Sequence, residues 1–521
     1  MHKKRIWRTA VLFLCLFVLG FVTAAYYSRE ISHCMGVPIL TEEEYSRITE
    51  YTQQDLSGIL LADGFPAAVD RETNTVYLSQ NITEETYYTD LKGVVSSKDE
   101  NILLYFAPDE NLADMSAAVK NGHTFKLIAK FADGSFARCD VVFTALPVLN
   151  MSGDVAGVKK ATEYDANGDR DIYSGTVSVW DGHYAGTGEY SAKSSAAQWH
   201  QRGNSTFRYD KKSWKLNFKD KEGNNADVDF LGLEADDDWV LNAVARDDTR
   251  LREKVVMDLW NNGMAQEEYN YKMSASQYVE VVTNGEYMGI YLLQRRLDAK
   301  YLELDENIQL AKGGKGHILY EPVDTTETEA TLDTLVKLRE GENVKYLDVD
   351  NWIDNSLFID AFYMADNASR YNTYYIIKDI TSHPQISIAL WDTDFSFGIG
   401  YNLGFVHQPE KADEQRRNKD ELYLLAEIYP DIYSRMSQRW QQLRQGVLST
   451  ENVLNTITAN HTRLTDSGAF ARDDAKWPDE YGGTDTYEAM CRYVGTRLEY
   501  LDSCYENGDV IRETGDTVPD R

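Results

Sequence analysis

"FYMADNASRYNTYYIIKDITSHPQISIALWDTDFSFG", residues 362–398, decides how this chain is read. The run Ile386 to Trp391 has the unbroken apolar character of a buried strand, yet it stops at Asp392, Thr393 and Asp394. Asp392 and Asp394 are two apart, so an extended chain points both to one side at the strand's C-terminal end, where a cleft can receive them. Carboxylates facing alike repel unless a cation lies between or beside them, and hard oxygen donors of this kind suit magnesium or calcium. Upstream, the helical spacing of "WIDNSLFIDAFYMA" delivers Asp366 into a polar loop, and Asn372 precedes the strand-like "TYYIIKD". A carboxylate to deprotonate a hydroxyl, an amide to hold a metal, a strand, a turn and a metal-binding aspartate is the order that protein kinases use for phosphoryl transfer. The same residues also suit structural work: Asp366 as a helix cap, Asn372 as a turn former and the Asp pair as a solvated surface.

Kinase chemistry also needs a fixed cation against the nucleotide phosphates, and the stretch "HQRGNSTFRYDKKSWKLNF" offers one. "KKSWKLNF" alternates, with Lys212, Trp214, Leu216 and Phe218 on one face and Lys211, Ser213, Lys215 and Asn217 on the other. Either Lys212 or Lys215 can supply the charge. "RDDTRLREKVVMDLWNNG" reads as a helix with Asp or Thr cap candidates, an apolar stripe of Leu251, Val255 and Leu259, and Gly263 as its stop. "QYVEVVTNGEYMGIYLLQ" reads as a hairpin, because Asn284 and Gly285 tolerate the positive φ of a type I′ turn.

A chain of 521 residues is long for one domain. Its 84 acidic residues against 53 basic ones, a net of -31, would repel a phosphate backbone, so nucleic acid is excluded as the expected partner. At the N-terminus Lys3, Lys4, Arg5 and Arg8 precede an uncharged stretch, residues 9–28, long enough to span a bilayer as a helix. The expectation is a signal peptide or membrane anchor over residues 1–30, the positive end inside and the body exported. Residues 37–145 read as a β-rich module, an immunoglobulin-like sandwich, with strands at "NTVYLSQ", "NILLYFAP", "TFKLIAKFA" and "FARCDVVFTAL". Residues 146–505 mix strands and helices, and 506–521 form a polar tail. Cys15, Cys34, Cys139, Cys491 and Cys504 make neither a disulfide framework nor a zinc pattern, though Cys491 and Cys504 could pair or stay as separate thiols.

Six blocks in order, "RGNST", "KKSWKLNF", "DWVLNAVARDDTRLREKVVMDLW", "YVEVVTNGEYMGIYLL", "DNASRYNTYYIIKD" and "LWDTDFSFG", resemble the spore coat protein H (CotH) kinase family over roughly residues 146–505. The resemblance implies an α+β chain carrying an atypical protein-kinase-like domain, behind the β-sandwich module and the N-terminal segment, that uses ATP and magnesium or manganese to phosphorylate protein serines or threonines. It matches Asp366 to the catalytic aspartate, Asn372 and Asp392 to metal ligands, Asp394 to the second aspartate of a D-x-D, and a "KKSW" lysine to the phosphate-binding lysine. Arg202 and Asn204 of "RGNST" fall in a characteristic turn that serves either phosphate approach or local structure. Glu321 sits where such proteins tend to carry an acidic residue. Where the family's glutamate is expected after "GIYLL", this chain has Gln294, Arg295 and Arg296.

Two readings compete with a kinase. A non-catalytic exported protein on the same fold could use its aromatic residues, 34 of them Tyr, to bind proteins or sugars. A glycosidase with paired carboxylates is the other. No nucleophile elbow, H-E-x-x-H helix or Walker loop occurs.

Overall fold

The computed structural model describes residues 36–82, 86–162, 167–182, 190–203, 205–245, 247–314, 319–399, 408–410, 417–480 and 486–506. The N-terminal apolar segment and the polar tail beyond residue 506 lie outside the described residues. Among those described, no helix is long and apolar enough to cross a membrane.

Among the described residues, eight strands precede residue 145: β1 (Leu60–Ala62), β2 (Phe65–Pro66), β3 (Ala68–Asp70), β4 (Thr75–Ser79), β5 (Val95–Ser97), β6 (Leu103–Phe106), β7 (Phe125–Lys130) and β8 (Phe136–Thr144). β4, β6, β7 and β8 occupy the four runs picked out by their β-branched and aromatic residues. They form a five-stranded sheet, β3-β4-β8-β7-β6, and a three-stranded sheet, β2-β1-β5, with β4 parallel to β8. Two short helices belong to the same stretch, α1 (Glu42–Ser46), which buries none of its residues, and α2 (Met115–Lys120), which buries Met115, Ala118 and Val119.

The next strands close into a barrel: β9 (Val148–Lys159), β10 (Arg170–Asp181), β11 (Ser191–Arg202), β12 (Ser213–Lys219), β13 (Asp238–Asn242), β14 (Ser276–Thr283) and β15 (Glu286–Arg295). The closing contact is parallel, β14 against the first residues of β9, Val148 to Met151. Strand alternation sends Leu216 and Phe218 inward against Trp199, Trp239 and Leu293, which leaves Lys215 on the outer face. The β14–β15 turn is the anticipated one: Asn284 and Gly285 both have positive φ, 51° and 83°.

Between β13 and β14 runs α3 (Arg252–Asn262), stopped at Gly263 as expected. Its N-cap is Leu251, which has no capping side chain; instead Asp247 Oδ2 accepts the Arg252 N–H at 3.0 Å, and Thr249 Oγ1 accepts the Leu251 N–H at 3.2 Å. The acidic and hydroxyl residues of "RDDTR" thus satisfy the helix start from a loop rather than from the cap position.

A second, antiparallel sheet contains β16 (Gln309–Gly313), β17 (Tyr320–Val323), β18 (Thr373–Lys378) and β19 (Gln385–Leu390), in the order β17-β16-β18-β19. Both its faces are covered, which explains why β18 and β19 read as continuous apolar runs. Tyr374, Ile376, Ala389 and Trp391 pack toward Val240 of the barrel, Leu297 and Tyr301. Tyr375, Ile377, Ile386 and Ile388 pack into a helical layer. That layer comprises α4 (Thr328–Arg339), α5 (Val349–Phe362), α6 (Ala365–Ala368), α7 (Arg417–Ile428), α8 (Ile432–Arg444), α9 (Thr450–Asp466), α10 (Ala469–Lys476) and α11 (Tyr487–Glu506). The chain is therefore a mixed α+β protein in which the four-stranded sheet lies between barrel and helices. Cys491 and Cys504 both sit on α11 as free thiols, and Cys139 is a third, buried one.

Candidate functional site

A cavity of about 500 Å³ opens where the outer face of the barrel meets the four-stranded sheet. The barrel contributes Arg202 from β11 and Lys215 from β12, and the sheet contributes Lys312 and Glu321. Asn372, Asp392 and Asp394 from the deciding stretch line the same space, as do Asp247 and Glu253 at the start of α3. Among the described residues, six Lys or Arg and five Asp or Glu line it. For a chain of net charge -31, that is a local concentration of cations beside carboxylates.

The acidic wall is built on strained backbone. Asn372 and Asp392 both adopt left-handed conformations, φ 51° and 54°, as do Tyr363, Arg370 and Phe397. Such conformations cost of order 1 to 3 kcal/mol each and collect where geometry must be imposed. Because β19 ends at Leu390 and Asp392 is left-handed, strand alternation does not aim the two aspartates; this loop does. It nevertheless brings both to one cavity. Trp391 Nε1 and Thr393 Oγ1, on either side of Asp392, are buried without a hydrogen-bond partner among the described residues.

Asp366 lies behind this wall. It belongs to the one-turn helix α6 rather than to a polar loop, it is fully buried, and it does not line the cavity. Its Oδ2 accepts a hydrogen bond from Asn372 Nδ2 at 3.1 Å. The strip after Asp394 crosses over α6, with Ala365 N–H donating to Phe395 O at 3.2 Å and Phe397 N–H to Phe362 O at 2.6 Å.

Of the two candidate lysines, Lys215 lines the cavity and Lys212 does not. Lys212 Nζ donates to the Phe207 carbonyl at 3.1 Å and so braces the turn before β12. Lys215 pairs with Asp238 Oδ2 at 2.9 Å, and the same oxygen receives Arg296 Nη1 at 2.9 Å. Arg202 lies over the Trp391 ring, 5.8 Å from its centroid. Gly203 lines the cavity with φ 109°, where a Cβ would come within 2.1 Å of Thr206 Oγ1. Asn204 lies outside the described residues.

The departure at residues 294–296 resolves into separate jobs. Arg295 is structural: its guanidinium pairs with the buried Asp236 and lies between the Trp239 and Tyr301 rings. Arg296 faces the cavity, and Gln294 Nε2 donates to Glu253 Oε1 at 3.0 Å. Glu253 itself is a residue the sequence reading missed. Its Oε2 accepts from Asn242 Nδ2, and its carboxyl is pushed up to about 8, first by burial and then by the charge of Asp392, with Arg202 working the other way. A buried charge at a helix start has no periodic signature, so Arg252, Glu253 and Lys254 look like the solvent side of α3, yet all are buried.

Asp392, Asp394 and the Asn372 amide supply hard oxygen donors to one space, a set that fits magnesium or manganese; Asp392 has no ion-pair partner among the described residues to satisfy it otherwise. Lys215, Arg202, Arg296 and Lys312 supply the opposite sign for phosphate oxygens. An acidic cluster elsewhere, Asp227, Asp236 and Asp237, is already bridged by Lys300, 2.6 Å from Asp227 and 3.2 Å from Asp236, and Asp236 is also paired with Arg295.

No curated protein matches the chain. A family model, described as CotH kinase protein, matches residues 199–501, from β11 through α11 and across every cavity residue named here. That span is more than half of the 521 residues, and on it the chain belongs to the CotH kinase family.

Proposed function

We propose that this protein is an exported atypical protein kinase that transfers the γ-phosphate of ATP to serine or threonine hydroxyls of a protein, with magnesium or manganese. The observation that carries the reading is the charge division of the cavity: Asp392, without an ion-pair partner among the described residues, with Asn372 and Asp394 on one wall, Lys215 and Arg296 tied to Asp238 on the other. Barrel, four-stranded sheet and helices then form an atypical kinase-like fold with the cleft between them, and the two sheets ahead of residue 145 form a sandwich module that spaces the body from the N-terminal membrane segment.

Asn372, Asp392 and Asp394 would hold the divalent ion, which when bound neutralises charge on the transferred phosphoryl group. Lys215, with Arg202 near it, binds the nucleotide's β- or γ-phosphate oxygens and orients the γ-phosphorus. The acceptor hydroxyl oxygen bonds to that phosphorus, the bond from phosphorus to the ADP oxygen breaks, and the hydroxyl proton passes to Asp366. Because Asp366 is fully buried and does not line the cavity, the acceptor reaches it only when the site opens.

Two variants test this. Asp392→Asn should lose magnesium-dependent ATP binding in calorimetry. Asp366→Asn should keep Mg-ATP affinity while labelled phosphate transfer to serine-rich protein falls by about 10²- to 10⁴-fold. Equal transfer by Asp366→Asn and parent removes Asp366 from the mechanism. If the parent transfers nothing with either metal, the burial of Asp366 is structural and the protein is a non-catalytic exported binder on this fold.

A further inference from the structure

β9 is longer than the barrel needs. Only Val148 to Met151 pair with β14, and among the described residues no strand covers its outer edge from Asp154 to Lys159. That edge carries Val155 and Val158, 55% and 49% exposed, with no proline, and its charged residues, Asp154 and Lys159, stand only at its two ends. The row of side chains crossing the sheet at this level runs Leu216, Trp199, Tyr173, Val155 through direct cross-strand pairs. Leu216 and Trp199 are buried, the Tyr173 and Trp199 rings stack at 6.0 Å, and the row then stops at the exposed valine. Cross-strand neighbours stabilise a sheet pairwise, so Val155 lacks the partner that every other member of its row has. The edge is also continuous with the cleft, because Lys159 at its end lines the cavity.

Resting on the kinase reading above, we propose that an extended segment of the protein substrate adds to the outer edge of β9 as a further strand, placing an apolar residue opposite Val155 and feeding its acceptor hydroxyl past Lys159 into the cleft. Backbone hydrogen bonds supply affinity independent of sequence, and the Val155 position supplies a preference for an apolar side chain. The substrate class is thus an unfolded or extended polypeptide with its acceptor a few residues from an apolar one.

The probe is dephosphorylated casein, an extended chain, with the full-length protein. Val155→Asp and Val155→Lys should each raise KM for casein about tenfold, leaving kcat within about twofold and Mg-ATP affinity unchanged, since both place a charge where the row needs an apolar neighbour. A rise with one charge and a fall with the other would mean surface electrostatics and overturn strand addition. So would unchanged KM in both. Should the parent bind Mg-ATP and casein but transfer nothing, the kinase reading fails on its own; amide exchange then decides this proposal, with protection of residues 154–159 by casein supporting it and no protection overturning it. A concentration-dependent dimer of the parent that Val155→Lys abolishes would identify a second copy as the occupant and also overturn it.

Discussion

Asp473, on α10, ties the helical layer to the barrel, and Asp473→Asn should cost about 3 kcal/mol at pH 7. The carboxylate receives Lys211 Nζ at 2.6 Å, Arg250 Nε at 3.1 Å and the Ile290 N–H at 2.9 Å, with Lys211 and Asp473 both fully buried. Burial pulls Lys211 down from its usual 10.5 to about 8, and Asp473 is the chief influence holding it up. Without that charge burial pulls the lysine lower still, and its share of the loss at pH 7 is capped at about 1.4 kcal/mol, the cost of giving up the proton one pH unit below its value of about 8. The guanidinium and the Ile290 amide lose a charged acceptor, about 1 kcal/mol each. The sign with pH follows. A lysine depressed in the folded state binds fewer protons there than in the unfolded chain, so stability rises with pH between the two values, from about 8 to 10.5 in the parent. In the variant the rise begins lower, so the gap between the two proteins should narrow by roughly 1 kcal/mol from pH 7 to pH 9. Urea melts at both pH values measure this. A loss under about 1 kcal/mol at pH 7, or a gap that widens at pH 9, would refute the reasoning.

Lys215→Met should weaken Mg-ATP binding about 10- to 100-fold in calorimetry, as loss of a charged hydrogen bond requires, while Lys212→Met should leave affinity unchanged because its ammonium is committed to Phe207 O. Gly203→Ala should destabilise the chain by more than about 1 kcal/mol in thermal melts, since alanine is strained at φ 109° and its methyl meets Thr206. Protease added to intact cells should digest everything beyond residue 28, and protection of the body until the cells are permeabilised would place it on the inner side.

The elements that sequence disclosed were those whose residues meet a uniform environment. β18 and β19 read as buried because both sheet faces are covered, β12 because one face meets the barrel interior, and the Asn284-Gly285 turn because only a few residue types accept its φ. Asn372, Asp392 and Asp394 could be singled out because polar residues break off an apolar run there, and all three line one cavity. What stayed hidden depends on partners distant in sequence. Nothing local shows that Asp238 pairs with both Lys215 and Arg296, that Glu253 meets Gln294, or that the Phe397 N–H bonds back to Phe362. Barrel closure was equally invisible, because it rests on four residues of β14 finding the first four of β9 from 132 positions away.

That closure bears on how the chain can be divided. The family match begins at residue 199, inside β11, but the ring of hydrogen bonds needs β9 and β10 as well. The apolar cluster under the first sheets also takes in Val148, Trp180, Val282 and Tyr287 from the barrel, and Tyr77 of β4 stacks on Tyr287 with centroids 4.4 Å apart. A fragment cut at the edge of the recognised span would therefore be an opened ring exposing two raw strand margins and a torn apolar seam, prone to self-association. Melting should be shared across residue 145, so that the region on either side is lost in one cooperative transition, and the folding unit of this protein is larger than its signature.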